Sequence, residues 1–230
     1  MSHQFACVAL DVINSREIET AMLEKQLKIL TEDLNNKYAN DMLLPFTIRN
    51  GDEIIGIFHR FTAGCKALEH ILEKTREFAV YAGCGFGEIK TKNNIDVHTS
   101  NSAAIISAIE ARDQFLKDNK KEAAIWNKDF SNKVFFYAEN FPYQAINSQF
   151  HTLRSYKQKR SSKQCQIINE MNKHPRKTYE EIGKSFNYKN PRASISNHLT
   201  AANYELVNEM EKGLIELLDL LQDFMEQVRT

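Results

Sequence analysis

The 230 residues carry 30 basic and 30 acidic side chains, and 42% of them are hydrophobic. That is the composition of an ordinary globular protein, long enough for one large core or two modest ones, and it excludes wholesale disorder. No run approaches the roughly 18 apolar residues that span a bilayer. Met1-Ser2-His3-Gln4 lacks the basic flank of a secretory signal, and the four cysteines include no C-x-x-C pair. Free thiols in a reducing cytoplasm are therefore expected.

Phe5-Ala6-Cys7-Val8-Ala9-Leu10 is a short apolar run that ends at Asp11 and predicts a buried first strand. Asn14-Ser15 offers a cap for a helix whose stripe is Ile18, Met22, Leu23, Leu27, Leu30, Leu34 and Tyr38. Pro45 then reads as a break. Phe46–Arg49 and Ile54–Phe58 flank Asn50-Gly51-Asp52-Glu53, a strong hairpin signal. A second amphipathic helix carries Phe61, Cys65, Leu68, Ile71 and Leu72. Residues 78–86 predict a strand ending in a glycine-rich stretch, 101–118 a helix, and Val134–Tyr137 a last strand. This order predicts an α+β, ferredoxin-like domain over residues 1–140, with one added helix and strand.

Residues 141–161 read as a linker or linking helix, and residues 162–204 as three helices. Thr178, with Glu181 three places on, forms a capping box for the second, and Pro191 suits the first position of the third. A short helix, the turn Asn187-Tyr188-Lys189-Asn190 and a helix with small polar residues at its start make a helix-turn-helix, whose partner is double-stranded DNA. In that geometry Arg192, Ser194, Ser196, Asn197 and His198 meet base edges, while Lys159, Arg160 and Lys189, together with Lys157, Lys163 and Lys184, serve phosphates. The charge agrees. Residues 151–200 hold eleven Lys or Arg against three acids, whereas 201–230 hold two against seven. Over residues 205–230, Val207, Met210, Leu214, Leu217, Leu221, Phe224 and Val228 alternate steps of three and four, a heptad seam that predicts a homodimer. Packing of this helix back onto the first domain is the other way to cover it.

Asp11 and Asp52 fall at the end of one strand and in the turn of its neighbouring hairpin, so a ferredoxin-like sheet brings them to one edge, where two carboxylates could hold Mg²⁺. Read from spacing alone, ordinary capping and turn roles remain open for both.

Leu10-Asp11-Val12-Ile13-Asn14-Ser15-Arg16, Asn50-Gly51-Asp52-Glu53 and Gly83-Cys84-Gly85-Phe86-Gly87-Glu88-Ile89 together resemble the SatD family of bacterial proteins, over nearly the whole chain. The same motifs are distantly similar to class III nucleotide cyclases and GGDEF cyclases. That resemblance implies a cyclase-like domain with Asp11 and Asp52 as metal ligands and a nucleotide as its ligand. The cyclases also carry an Asn and an Arg on the helix after the glycine-rich strand. Residues 104–112 offer no convincing Asn, and Arg112 is out of step with that pattern. Two functions follow: a DNA-binding transcriptional regulator whose cyclase-like domain senses a nucleotide or metal, or a Mg²⁺-dependent nucleotide cyclase or nucleotidyl transferase with a DNA-binding appendage. The first is preferred, leaving enzymatic activity open. A scaffolding module is a third.

Overall fold

A computed structural model describes residues 3–75, 77–89 and 102–228, with the side chain of Val228 outside the described set. The chain forms two compact units, Met1–Asn147 with Glu216–Thr230, and Ser148–Ile215.

The first unit is built on a five-stranded mixed sheet: β1 (Gln4–Val12), β2 (Met42–Arg49), β3 (Glu53–Phe58), β4 (Val80–Glu88) and β5 (Lys133–Tyr137), in spatial order β2-β3-β1-β4-β5. Only the β4–β5 pair is parallel. The first four strands and the two helices that follow β1 and β3 keep the expected ferredoxin-like order, with β5 added outside β4. The hairpin is made as its sequence implies: Asn50 (φ 51°) and Gly51 (φ 89°) are both left-handed.

Side chains alternate across this sheet. One face carries Ala6, Val8, Leu10, Phe58, Cys84 and Phe86, and is covered by α1 (Thr20–Lys37) and α2 (Phe61–Lys74), where Phe61 packs 4.4 Å from Phe86 between ring centres. The other carries Phe5, Cys7, Ala9, Ile55 and Ile57 and packs on α3 (Ala103–Glu110) through Ala104, Ile105 and Ala108. Helix and sheet approach to backbone contact there because β4 is glycine on that face. A Cβ on Gly85 would lie 2.1 Å from the Ala108 nitrogen, and one on Gly83 2.2 Å from the Ala108 oxygen. The glycine run therefore serves close backbone approach.

Several local expectations change. Pro45 does not break the chain; it sits inside β2, an edge strand with a register irregularity between Leu44 and Thr47, where a missing N–H is tolerated. Asn14-Ser15 does not cap a long helix. Asn14 is left-handed (φ 56°), Ser15–Glu17 is a short 3₁₀ turn, and α1 starts only at Thr20. The helix after β4 runs on from Glu110 as a wide π turn, Ala111–Lys117, and a further helix, α4 (Lys121–Asn127), precedes β5. The part of the expected 101–118 helix at residue 101 lies outside the described residues.

The helix α5 (Tyr143–Gln158) occupies most of the expected linker and contributes residues to both units. In the second unit, α6 (Ser162–Lys173), α7 (Tyr179–Ser185) and α8 (Pro191–Ala201) enclose Ile167, Ile168, Ile182, Ile195 and Leu199. Thr178 and Glu181 form the predicted capping box, with the Thr178 N–H donating to the Glu181 carboxylate at 2.7 Å and the Glu181 N–H to the Thr178 hydroxyl at 3.3 Å. The α7–α8 turn is closed by left-handed Asn187 (φ 57°), the Tyr188 N–H donating to the Gly183 oxygen and the Asn187 N–H to the Lys184 oxygen.

The last helix, α9 (Tyr204–Val228), lies in the second unit up to Ile215 and in the first from Glu216. Its buried positions are Val207, Leu214, Leu218 and Gln222. Within the first unit the Gln222 amide donates to the Gln4 and His59 carbonyls and accepts from the Phe61 N–H, so it caps α2 from outside that helix. Arg60 pairs with Asp219 and Asp223 beside it. Among the described residues no helix is long and apolar enough to cross a membrane.

Candidate functional site

Cross-strand pairing aligns five residues in one row at one end of the sheet: Arg49 opposite Glu53, Glu53 opposite Asp11, Asp11 opposite Tyr81, and Tyr81 opposite Lys133. Directly opposed residues share a face. Asp11 and Glu53 are thus neighbours on the face that the π turn covers, and Glu53, not only Asp52, belongs to the acidic edge.

The π turn supplies the counter-charges. Arg112 is 5% exposed, and its guanidinium forks onto Asp113 with two 2.8 Å bonds and lies 3.5 Å from Glu53. Lys117 places its ammonium 2.7 Å from Asp11 and 3.3 Å from Asp113. Asp52 accepts a 2.6 Å hydrogen bond from the Ser15 hydroxyl. Arg112 and Lys117 sit at the start and the end of the π segment, and both reach acids of the sheet edge.

The electrostatics follow from this closure. Burial pushes the Asp11 carboxyl above its ordinary value, with the Lys117 contact opposing and the neighbouring Asp52 charge adding to the rise. Burial alone would lower Lys117, yet its bond to Asp11 and the nearby Asp113 hold it above its usual value. Asp113 is also partly buried, but the Arg112 fork outweighs that and holds it low.

Mg²⁺ is usually held by one or two carboxylates, with water and phosphate oxygens completing its shell. The Asp52 charge acts on the Asp11 carboxyl. One oxygen of Asp11 faces Lys117, and one of Asp52 accepts from Ser15. Among the described residues no three His, Cys, Asp or Glu side chains group as a metal-ligand set. A cation at this pair would compete with Lys117 for Asp11.

A second candidate surface lies on α8 of the other unit. Arg192, Ser196 and Asn197 are exposed, Ser194 and His198 half-buried, and Ile195 and Leu199 face the core. His198 shares a 2.9 Å hydrogen bond with the Tyr188 hydroxyl, which ties it to the α7–α8 turn. Lys159 and Lys189 are exposed, Lys184 pairs with Glu180, and Arg160 donates to the Ala202 carbonyl at the end of α8. Lys163 stands over the Phe186 and Tyr188 rings, and Lys157 pairs with Glu211. Of the heptad positions, Val207 and Leu214 are buried, Met210, Leu217 and Leu221 half-buried, and Phe224 is 62% exposed. The Val228 side chain lies outside the described residues.

Comparison with known proteins places these observations in a family. Among solved structures the chain is similar to a bacterial light-regulated adenylyl cyclase (10% identity, 59% of this chain and 76% of that one, TM-score 0.40). It is also similar to the catalytic core of a rhodopsin-guanylyl cyclase of converted specificity (10% identity, 49% and 72%, TM-score 0.36). A third is the non-canonical dimeric guanylyl cyclase domain of the RhoGC fusion protein of the aquatic fungus Blastocladiella emersonii (12% identity, 44% and 76%, TM-score 0.32). No curated protein matches. The profile of the SatD family matches residues 5–182, and the chain belongs to the SatD family.

Proposed function

We propose that this SatD-family chain is a DNA-binding regulator. Its helices α6–α8 act as a helix-turn-helix, and its cyclase-like first unit acts as a ligand sensor with no catalytic metal. The observation that carries the reading is the division of α8: Ile195 and Leu199 hold it in the core, while Arg192, Ser196 and Asn197 are exposed along its outer side. A guanidinium and an amide at the start of such a helix suit guanine and adenine edges, and exposed Lys159 and Lys189 suit phosphates. The half-buried and exposed apolar positions Leu217, Leu221 and Phe224 on α9 would pair two copies, as a two-half-site operator requires.

The test is fluorescence anisotropy of the full chain on random-sequence and genomic duplexes across a salt series. Binding that weakens steeply with salt, and by tenfold or more with Arg192→Ala, is the expected outcome. A lack of binding at low salt would sink the reading. Sedimentation of wild type and Phe224→Glu tests the dimer: a wild type that runs as a monomer at micromolar concentration removes it.

A Mg²⁺-dependent nucleotide cyclase or nucleotidyl transferase is the second reading, favoured by the convergence of Asp11, Asp52 and Arg112 at one sheet edge. Conversion of ATP or GTP that needs Mg²⁺ and is lost in Asp11→Ala would establish it. Unchanged nucleotide after long incubation would leave the sensor role.

A further inference from the structure

At the β5 side of the acidic edge, the last turn of the π segment, α4 and the starts of β4 and β5 enclose an open cavity of about 460 Å³. This is the size of a small-molecule site. Tyr81, Phe115 and Leu116 give it apolar walls. Phe115 is locked by stacking on Phe135, with ring centres 4.8 Å apart, and by the Lys120 ammonium 4.4 Å from its centre. Lys117 and Lys128 line the same cavity, as does Lys133, whose ammonium donates to the Asn127 and Phe130 carbonyls, and among the described residues no acidic side chain lines it. Two lysines, Lys117 and Lys128, beside an apolar lining suit an anion carried on a flat hydrophobic body.

Lys117 makes the cavity more than a surface dent. Its ammonium pairs with Asp11 and Asp113 and has three donors in all, so a ligand anion can share it with the two acids. The turn that positions it is rigidly closed: the Lys120 N–H donates to the Phe115 oxygen and the Asn119 N–H to the Leu116 oxygen, with Asn119 left-handed at φ 52°. Asn119 also lines the cavity.

We propose that this cavity binds a small planar aromatic anion, its ring against Tyr81 and Leu116 and its phosphate or carboxylate at Lys117 and Lys128. Such a ligand would sit beside the acidic edge, sharing Lys117 with it but not needing a metal. The inference rests on the sensor reading of the first unit, and DNA affinity, measured separately, reports on a different unit, so the two can fail independently.

The experiment is calorimetric titration of the full chain with AMP, indole-3-acetate, adenosine and inorganic phosphate. AMP and indole-3-acetate place the same ring-plus-anion chemistry on a phosphate and on a carboxylate. At least one should bind, and at least tenfold more tightly than adenosine or phosphate alone. Ala124→Trp, which fills the cavity from α4, should abolish that binding, and Lys128→Glu, at an exposed position, should weaken it tenfold or more, both with an unchanged circular dichroism spectrum. Amide resonances of residues 123–128 should move with ligand. Absence of binding by both aromatic anions, equal binding of adenosine or phosphate alone, or affinity undiminished in Ala124→Trp would overturn the proposal.

Discussion

The acidic edge of the sheet and the outer side of α8 carry comparable numbers of polar groups, but they use them in opposite ways. At the edge, Asp11, Glu53 and Asp113 are met by Arg112 and Lys117 within the same unit, and most of these charges are partly or wholly buried. On α8, Arg192, Ser196 and Asn197 stand exposed. Charges closed on one another are costly to break singly and hold one geometry. Exposed ones cost little to keep and remain ready for a partner. The proposed division of labour rests on this contrast: macromolecular binding by the second unit, and in the first an internally neutralised wall beside a cavity.

The strongest way to break this comparison is at the edge. Arg112→Met leaves Asp113 and Glu53 facing a buried apolar chain, and breaking such a pair costs about 3 kcal/mol or more. Urea denaturation followed by tryptophan fluorescence from Trp126, in the first unit, should show it, while duplex binding by material still folded stays unchanged. Gly85→Ala comes next. Its Cβ would lie 2.1 Å from backbone nitrogen on α3, so sheet and helix must part, at a cost of about 1–3 kcal/mol read as a lower melting temperature. On the other side of the contrast, Arg192→Ala should leave the melting temperature within a degree or two and weaken duplex affinity about tenfold to a hundredfold. Thr178→Ala removes the cap of α7 and should cost about 1 kcal/mol, with a smaller loss of DNA affinity.

The smallest effect is a pH dependence with a defined sign. The Arg112 fork holds Asp113 below its ordinary value of 3.8. Its contribution is therefore present in full above that value and is lost as pH falls through the lowered one. The urea midpoint of the wild type should drop more between pH 5 and pH 2.5 than that of Asp113→Asn, and equal drops would show that the fork contributes nothing at this site.

Much of this was legible along the chain. The apolar run into Asp11, the Asn50-Gly51 turn, the capping box at Thr178 and Pro191 at the head of α8 all rest on local rules of backbone and side chain, and each appears where those rules put it. The α9 stripe was only half legible. Its spacing shows an apolar face, but the buried set includes the polar Gln222, whose partners are backbone groups of Gln4, His59 and Phe61 more than 150 residues away in the chain. No periodicity marks a glutamine as a cap for another helix. Pro45 misled in the same manner, because a proline breaks an interior strand but not an edge one, and only the sheet order says which β2 is.

The sequence by itself determined the order of the five strands and of most helices, though not α4, along with the basic stretch before residue 200 and the family. Those depend on φ/ψ preference, periodicity and charge, which are properties of neighbours in the chain. Tertiary structure alone decided which cation meets which acid. Packing of the π segment on the sheet brings Arg112 to Glu53 and Lys117 to Asp11, and cross-strand register, set by the fold as a whole, puts Glu53 beside Asp11.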